Sequence, residues 1–184
     1  MFHRVGGSQD ADEPVLVLDG SGQWPEIAIS GDGRYLIVSL SRGLGSGDEL
    51  RVLELGGPER GWRLLIPEGQ HRYAVAGVKD GTFYLLTDDA ADRCRIVAVD
   101  VADPGRDSWR DVIAEAEDTL MEAHFFGGRL VCHYLRHACS LLRAYRLDGT
   151  PEHVRSGWPG RAGRVPSGSR SAAGPAAACW SGRA

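Results

Sequence analysis

Ser30-Gly31-Asp32-Gly33-Arg34-Tyr35-Leu36-Ile37-Val38 decides the architecture, because its pattern of a glycine turn followed by an apolar run returns twice further along the chain. Asp80-Gly81 precedes Phe83-Tyr84-Leu85-Leu86, and Gly127-Gly128 precedes Leu130-Val131-Cys132-His133-Tyr134-Leu135. Gly33, Gly81 and Gly128 are spaced by 48 and 47 residues. Asp-Gly is a strong hairpin signal, because both central residues of a type I′ turn need positive φ. A fixed period of about 40 to 50 residues, each unit carrying several short strands, is the sequence pattern of β-propeller blades.

Each unit reads as four strands. An inner strand such as Glu26-Ile27-Ala28-Ile29 leads through the turn into an apolar second strand, as expected of a sheet stacked between two others. The third strands are Leu50–Leu55, Arg95–Asp100 and Leu141–Leu147. The fourth open with Trp62-Arg63 and Trp109-Arg110, 47 residues apart, and these tryptophans are expected to fill gaps between sheets. Val15-Leu16-Val17-Leu18 lies 48 residues ahead of the fourth strand at Leu64 and is expected to be the orphan outer strand of a preceding blade.

The fold class is therefore all-β: a partial β-propeller of about three four-stranded antiparallel blades, plus that orphan strand and a disordered carboxy-terminal tail. The propeller is expected over 1–156, with blades near 24–69, 70–117 and 118–156 and residues 1–23 as the remnant of a preceding blade. Residues 157–184 are mostly Ser, Gly, Arg, Ala and Pro. Such a composition cannot bury enough surface to offset its ordering entropy, so disorder is expected there. A reading-frame change in a G+C-rich gene would produce such a tail, and the chain reads as a truncated or frameshifted fragment.

Composition narrows function. A formal charge of −4 offers no basic field for nucleic acid, and Lys79 is the only lysine among scattered arginines. No apolar run approaches the ~18 residues that span a bilayer, and Met1–Gly7 has no signal-like apolar region, so no membrane partner and a cytoplasmic location are expected. Cys94, Cys132, Cys139 and Cys179 lack the paired spacing of a zinc site. His133 and His137 are four apart, which separates them by about 13 Å on an extended strand. Asp88, Asp89 and Asp92 read as a solvated turn, and Ser8, Ser30 and Ser46 as turn residues. Gly43-Leu44-Gly45-Ser46-Gly47 lacks the Lys-Ser/Thr ending of a phosphate loop. Catalytic, cofactor-binding and metal sites are each expected to be none.

Several stretches, taken in order, carry a more specific likeness. Phe2-His3-Arg4-Val5-Gly6-Gly7-Ser8-Gln9-Asp10 and Ile29–Ser39 closely resemble the propeller of the prolyl oligopeptidase family of serine peptidases, with its "YHRLGT" strand and "SDDGRYL" turn. Gly81–Thr87, Arg95–Asp100, Glu115–Leu120 and Gly128–Leu135 continue the resemblance to about Pro151. It implies a seven-bladed propeller that covers an α/β-hydrolase domain, cleavage after proline in short peptides, and a propeller that keeps folded proteins out. The resembled hydrolase carries Ser, Asp and His, with the serine on a nucleophile elbow. No Gly-x-Ser-x-Gly occurs in this sequence. The expectation is a propeller fragment that is no enzyme on its own, meeting peptide substrate only within a full enzyme. Uncovered apolar faces on its terminal sheets predict self-association. The alternative is a stand-alone propeller-type module that binds a protein or peptide.

Overall fold

A computed structural model describes residues 3–18, 22–41, 43, 47–57 and 61–152. Twelve strands in this part of the chain form three four-stranded antiparallel sheets, each ordered as in the sequence. Sheet 1 holds β1 (Trp24–Ile29), β2 (Tyr35–Ser41), β3 (Asp48–Glu54) and β4 (Arg63–Ile66). Sheet 2 holds β5 (Tyr73–Lys79), β6 (Thr82–Thr87), β7 (Arg95–Asp100) and β8 (Arg110–Ile113). Sheet 3 holds β9 (Thr119–Phe126), β10 (Arg129–Arg136), β11 (Cys139–Tyr145) and β12 (Pro151–Glu152). Consecutive meanders of this kind are the blades of a partial propeller.

Strand alternation determines which neighbour each sheet meets. On β6 and β7, Phe83, Leu85, Val97 and Val99 point to sheet 1 and join Tyr35, Ile37, Leu50 and Val52 in one buried cluster. Tyr84, Leu86, Ile96 and Ala98, on the other face of the same two strands, join Leu120, Leu130, Cys132 and Tyr134 of sheet 3 in a second. A strand apolar at every position is thus a strand buried on both faces, which is why no polar alternation marks it. Burial of these rows supplies the cohesion of the stack, at roughly 25 cal/mol per Å² of apolar surface.

The turns correct one detail of the sequence reading. Asp80 and Gly81 have φ of 51° and 80°, and Gly127 and Gly128 of 57° and 79°, so these are two-residue hairpins with both central residues left-handed. At Asp32-Gly33 only the glycine is left-handed, at 72°. There the Gly33 amide donates to the Ser30 carbonyl at 2.8 Å. The Asp32 carboxylate accepts from the Ser30 hydroxyl at 2.6 Å and the Arg34 amide at 3.1 Å, closing a longer, side-chain-braced loop. Structurally equivalent residues are consequently Leu36, Phe83 and Leu130, which pair with Ile29, Val78 and Phe125 on their inner strands.

Close approach between sheets demands a small residue at one point. A Cβ added at Gly77 on β5 would overlap Phe125 Cβ on β9, so the two inner strands meet there only because position 77 has no side chain.

The amino-terminal segment also departs from expectation. Val15–Leu18 forms no strand; its link to sheet 1 is the Trp62 indole, whose Nε1 donates to the Val15 carbonyl at 2.7 Å. A ladder needs a strand partner, and among the described residues sheet 1 is built from β1 to β4 alone. Trp62 therefore ties a segment down, whereas Trp109 packs as expected against the cluster between sheets 1 and 2. Trp62→Phe keeps an aromatic ring of smaller size and removes the indole donor, so global stability should fall by only about 1 kcal/mol. Amide exchange should accelerate selectively across 13–18; unchanged exchange there would show that the indole does not hold the segment. The tail expected to be disordered lies outside the described residues.

Candidate functional site

The loops that join second to third strands, and those that lead into the inner strands, collect at one end of the stack. There they frame an open groove of about 800 Å³ lined by Trp24, Asp48, Arg72, Asp88, Cys94 and Met121, among others. All three sheets contribute to it. Sheet 1 is fastened to the approach to β5 by its own loop: the Gly47 amide donates to the Gly69 carbonyl at 3.1 Å and the Asp48 amide to the His71 carbonyl at 2.9 Å. The Asp48 carboxylate in turn accepts from the Tyr73 amide at 2.9 Å. Burial pushes the Asp48 carboxyl above its ordinary value, against the pull of that hydrogen bond.

The loop after β6, read from sequence as a solvated acidic turn, is partly buried and closely engaged. Asp88 accepts from the Arg72 amide at 2.9 Å, and the Arg72 guanidinium donates to Cys94 Sγ at 3.4 Å. Asp89 is buried; it accepts from the Tyr73 hydroxyl at 2.8 Å and pairs with Arg106. Arg106 lies 4.4 Å above the Trp109 ring, whose edge contact with Tyr73 closes the circuit. The sequence showed three acids in a turn; that one of them is a buried anchor required knowing that Tyr73 and Arg106 converge on it.

Sheet 3 has an anchor of its own that the sequence reading missed. Asp118, buried one residue before β9, accepts from Arg136 Nε and Nη2 at 2.6 and 2.7 Å and from Arg143 at 2.7 Å. Hydrogen bonding to Arg136 holds the Asp118 carboxyl below the usual carboxylate range. Arg143 also lies 4.6 Å over the Tyr134 ring. Cys132 is buried beside them, and desolvation pushes its thiol up to about 12, so it is an inert core residue. The sequence signal for Asp118 was its place in Glu115–Leu120, a stretch that carries the family likeness, just ahead of a strand.

The remaining candidates are dispersed. Ser8 caps a 3-10 turn, accepting from the Asp10 amide at 3.3 Å, and Ser30 closes its own loop. His133 lies in β10 and contacts the Ser140 hydroxyl at 2.9 Å on the outer face of sheet 3, while His137 occupies the next turn with φ of 45°. Cys139 is half-buried. Ser46, most of the glycine-rich loop and Cys179 lie outside the described residues. Among the described residues, no group of three or more His, Cys, Asp or Glu converges as a metal site. No helix there is long and apolar enough to cross a membrane. What the groove offers is a mixed acidic and basic rim, with an exposed indole at Trp24 and the thioether of Met121, suited to polar and apolar contacts with an extended ligand.

Comparison with known sequences places this geometry. The sequence profile of the prolyl oligopeptidase N-terminal beta-propeller domain matches residues 1–166. The chain belongs to the prolyl oligopeptidase family. A prolyl endopeptidase of Elizabethkingia meningoseptica is 29% identical over 152 residues, which cover 80% of this chain and 21% of that protein. Prolyl oligopeptidase A of Galerina marginata is 24% identical over 106 residues, 55% of this chain and 14% of that one. Among solved structures, a prolyl endopeptidase superposes with a TM-score of 0.75 at 32% identity, covering 86% of this chain and 23% of its own. Prolyl oligopeptidase B of Galerina marginata shares the fold, with a TM-score of 0.70 at 22% identity over 88% of this chain and 24% of its own. The chain thus spans about a fifth of the length of the Elizabethkingia meningoseptica prolyl endopeptidase.

Proposed function

We propose that this chain supplies three blades of the non-catalytic propeller of a prolyl-oligopeptidase-type serine peptidase, an enzyme that cleaves after proline in short peptides while its propeller limits access. The observation that carries this reading is the stack of three blade-like sheets over which the family's propeller profile runs. Two further facts support it. The groove shared by the three sheets is lined by polar and apolar side chains, and among the described residues its Cys94 Sγ accepts from Arg72 instead of pairing with a histidine as nucleophile and base. Gly-x-Ser-x-Gly is missing from the sequence.

A chimera tests the proposal. The matching stretch of the Elizabethkingia meningoseptica prolyl endopeptidase is replaced by the corresponding residues of this chain. The expected result is an enzyme that hydrolyses a short fluorogenic proline peptide and leaves a folded, proline-containing protein intact, whereas the 184-residue chain alone turns over neither. A folded chimera that degrades the protein substrate would refute the access role. Turnover by the rigorously purified chain alone would refute the non-catalytic reading.

A further inference from the structure

The groove shared by the three sheets has a charge and an apolar wall that together select an occupant. Three carboxylates line it, those of Asp48, Asp88 and Asp92, against one guanidinium, that of Arg72. Arg72 forms an ion pair with none of them among the described residues, since its guanidinium donates to Cys94 Sγ at 3.4 Å. Asp92 is exposed and has no hydrogen-bond or ion-pair partner among the described residues. Asp88, which accepts from the Arg72 amide and lies 3.4 Å from His71, keeps 41% of its side chain exposed. Burial pushes the Asp48 carboxyl up, and Asp88 and Glu26 add to that push as like charges.

The apolar wall comes from two inner strands. Trp24 pairs with Ser41 across β1 and β2, and both line the groove. By strand alternation Trp24 lies on the face opposite Ile27 and Ile29, and it is 74% exposed. Met121 is the unpaired residue of a bulge in β9, between Leu120 opposite Tyr134 and Glu122 opposite His133. A bulge re-aims a side chain, and here the re-aimed residue lines the groove. An exposed indole among carboxylates fits a cation on a long aliphatic stem. The carboxylates hold the charged head, the ring face accepts a cation–π contact, and the thioether offers the stem an apolar neighbour. An anionic side chain would meet the same carboxylates as like charges.

We propose that this groove takes an extended peptide that carries a lysine or arginine, with the basic side chain against Trp24 and the carboxylates of Asp88 and Asp92. That the occupant is a peptide rests on the peptidase reading above; that its side chain is basic rests on charge complementarity alone. Within a propeller-gated peptidase such a groove favours basic peptides among those short enough to enter.

Binding of acetylated, amidated Ala-Lys-Ala-Pro-Ala to the purified 184-residue chain tests it, against the same peptide with glutamate in place of lysine. Nuclear magnetic resonance follows the Trp24 indole, assigned with Trp24→Phe. At low salt the lysine peptide should shift that resonance and bind about tenfold more tightly than the glutamate peptide, and the gap should narrow as salt screens exposed charges. Asp92→Lys should abolish the preference, whereas Asp10→Lys, the same charge change on the amino-terminal 3-10 turn, should keep it. If Asp92→Lys loses its β circular dichroism, Asp92→Asn takes its place and should reduce the preference. Equal affinity for the two peptides, a preference untouched by substitution of Asp92, or no binding at millimolar peptide would each overturn the proposal. So would lysine-peptide binding that appears only after removal of 153–184, which would assign the groove to the chain's own arginine-bearing tail. The Elizabethkingia meningoseptica chimera separates this proposal from the peptidase reading. Hydrolysis of the two peptides in the same ratio as by the parent enzyme overturns the charge preference and leaves the peptidase reading; charge-selective binding by the chain, with no hydrolysis by a folded chimera, does the reverse.

Discussion

Phe83→Ala should remove about 3–5 kcal/mol of stability, the cost of truncating a fully buried aromatic ring in a packed core. Phe83 has no exposed surface and lies between sheets 1 and 2, its ring 5.3 Å from that of Tyr35 in an edge-to-face arrangement. The substitution removes apolar burial and that ring contact, and neighbours held in two hydrogen-bonded sheets cannot collapse freely into the cavity. Against a typical domain stability of about 5–15 kcal/mol this is a large fraction. With a urea slope of roughly 1–3 kcal/mol per molar, the unfolding midpoint should fall by about 2 M. Phe126, which is exposed at the end of β9, supplies the control: Phe126→Ala should change stability by less than about 0.5 kcal/mol. Equal midpoints for the two variants would mean that sheets 1 and 2 do not stack as described.

Asp118→Asn should cost about 2 kcal/mol and reshape the acid limb of the stability curve. The carboxylate neutralises Arg136 and Arg143 together, so its loss leaves two guanidinium groups facing a neutral amide. Arg136 is partly solvated and can recover water, which keeps the cost below the 3–5 kcal/mol of breaking a fully buried pair. Because the fold holds the Asp118 carboxyl below its ordinary value, the unfolded chain takes up this proton first as pH falls. The stabilisation is therefore complete above about pH 4 and is lost below it, as pH falls through the still lower folded value. Asp118→Asn should be less stable than the parent at pH 7 and approach it at the acid end. Asp32, Asp148 and Glu152 are lowered in the same sense, so the acid limb should flatten and not vanish. Asp48, raised by burial, acts in the opposite direction. Chemical denaturation of both proteins at pH 7 and below pH 4 measures the difference; parallel curves would show that Asp118 does not carry this linkage.

The two predictions rest on features of unequal visibility. Phe83 stands in a run, Phe83-Tyr84-Leu85-Leu86, whose apolar character on both faces already implies a sheet stacked on two sides. Asp118 lies in Glu115–Leu120, a stretch that carries the family likeness but shows no local sign of burial, and its two arginine partners lie 18 and 25 residues away. No local pattern joins them, because the pairing depends on where β9 begins relative to the end of β10 and the middle of β11. Asp89, with Tyr73 and Arg106 16 and 17 residues distant on opposite sides in sequence, was hidden for the same reason.

Local chemistry, repeated at a fixed interval, was enough to determine the strands, their order and the number of sheets: hairpin turns need glycine or a small polar residue, and runs buried on both faces need apolar side chains throughout. The family likeness was legible on the same residues. Three things needed the folded chain. The first hairpin is a longer, aspartate-braced loop, so the true equivalences are Leu36, Phe83 and Leu130, one residue out of step with the glycines in the first unit. Val15–Leu18 has β-strand composition but pairs with no strand among the described residues, because strand propensity is realised only through tertiary pairing. The groove at the shared end of the blades, and the buried carboxylates that anchor it, depend on the spatial convergence of loops whose residues are far apart in sequence.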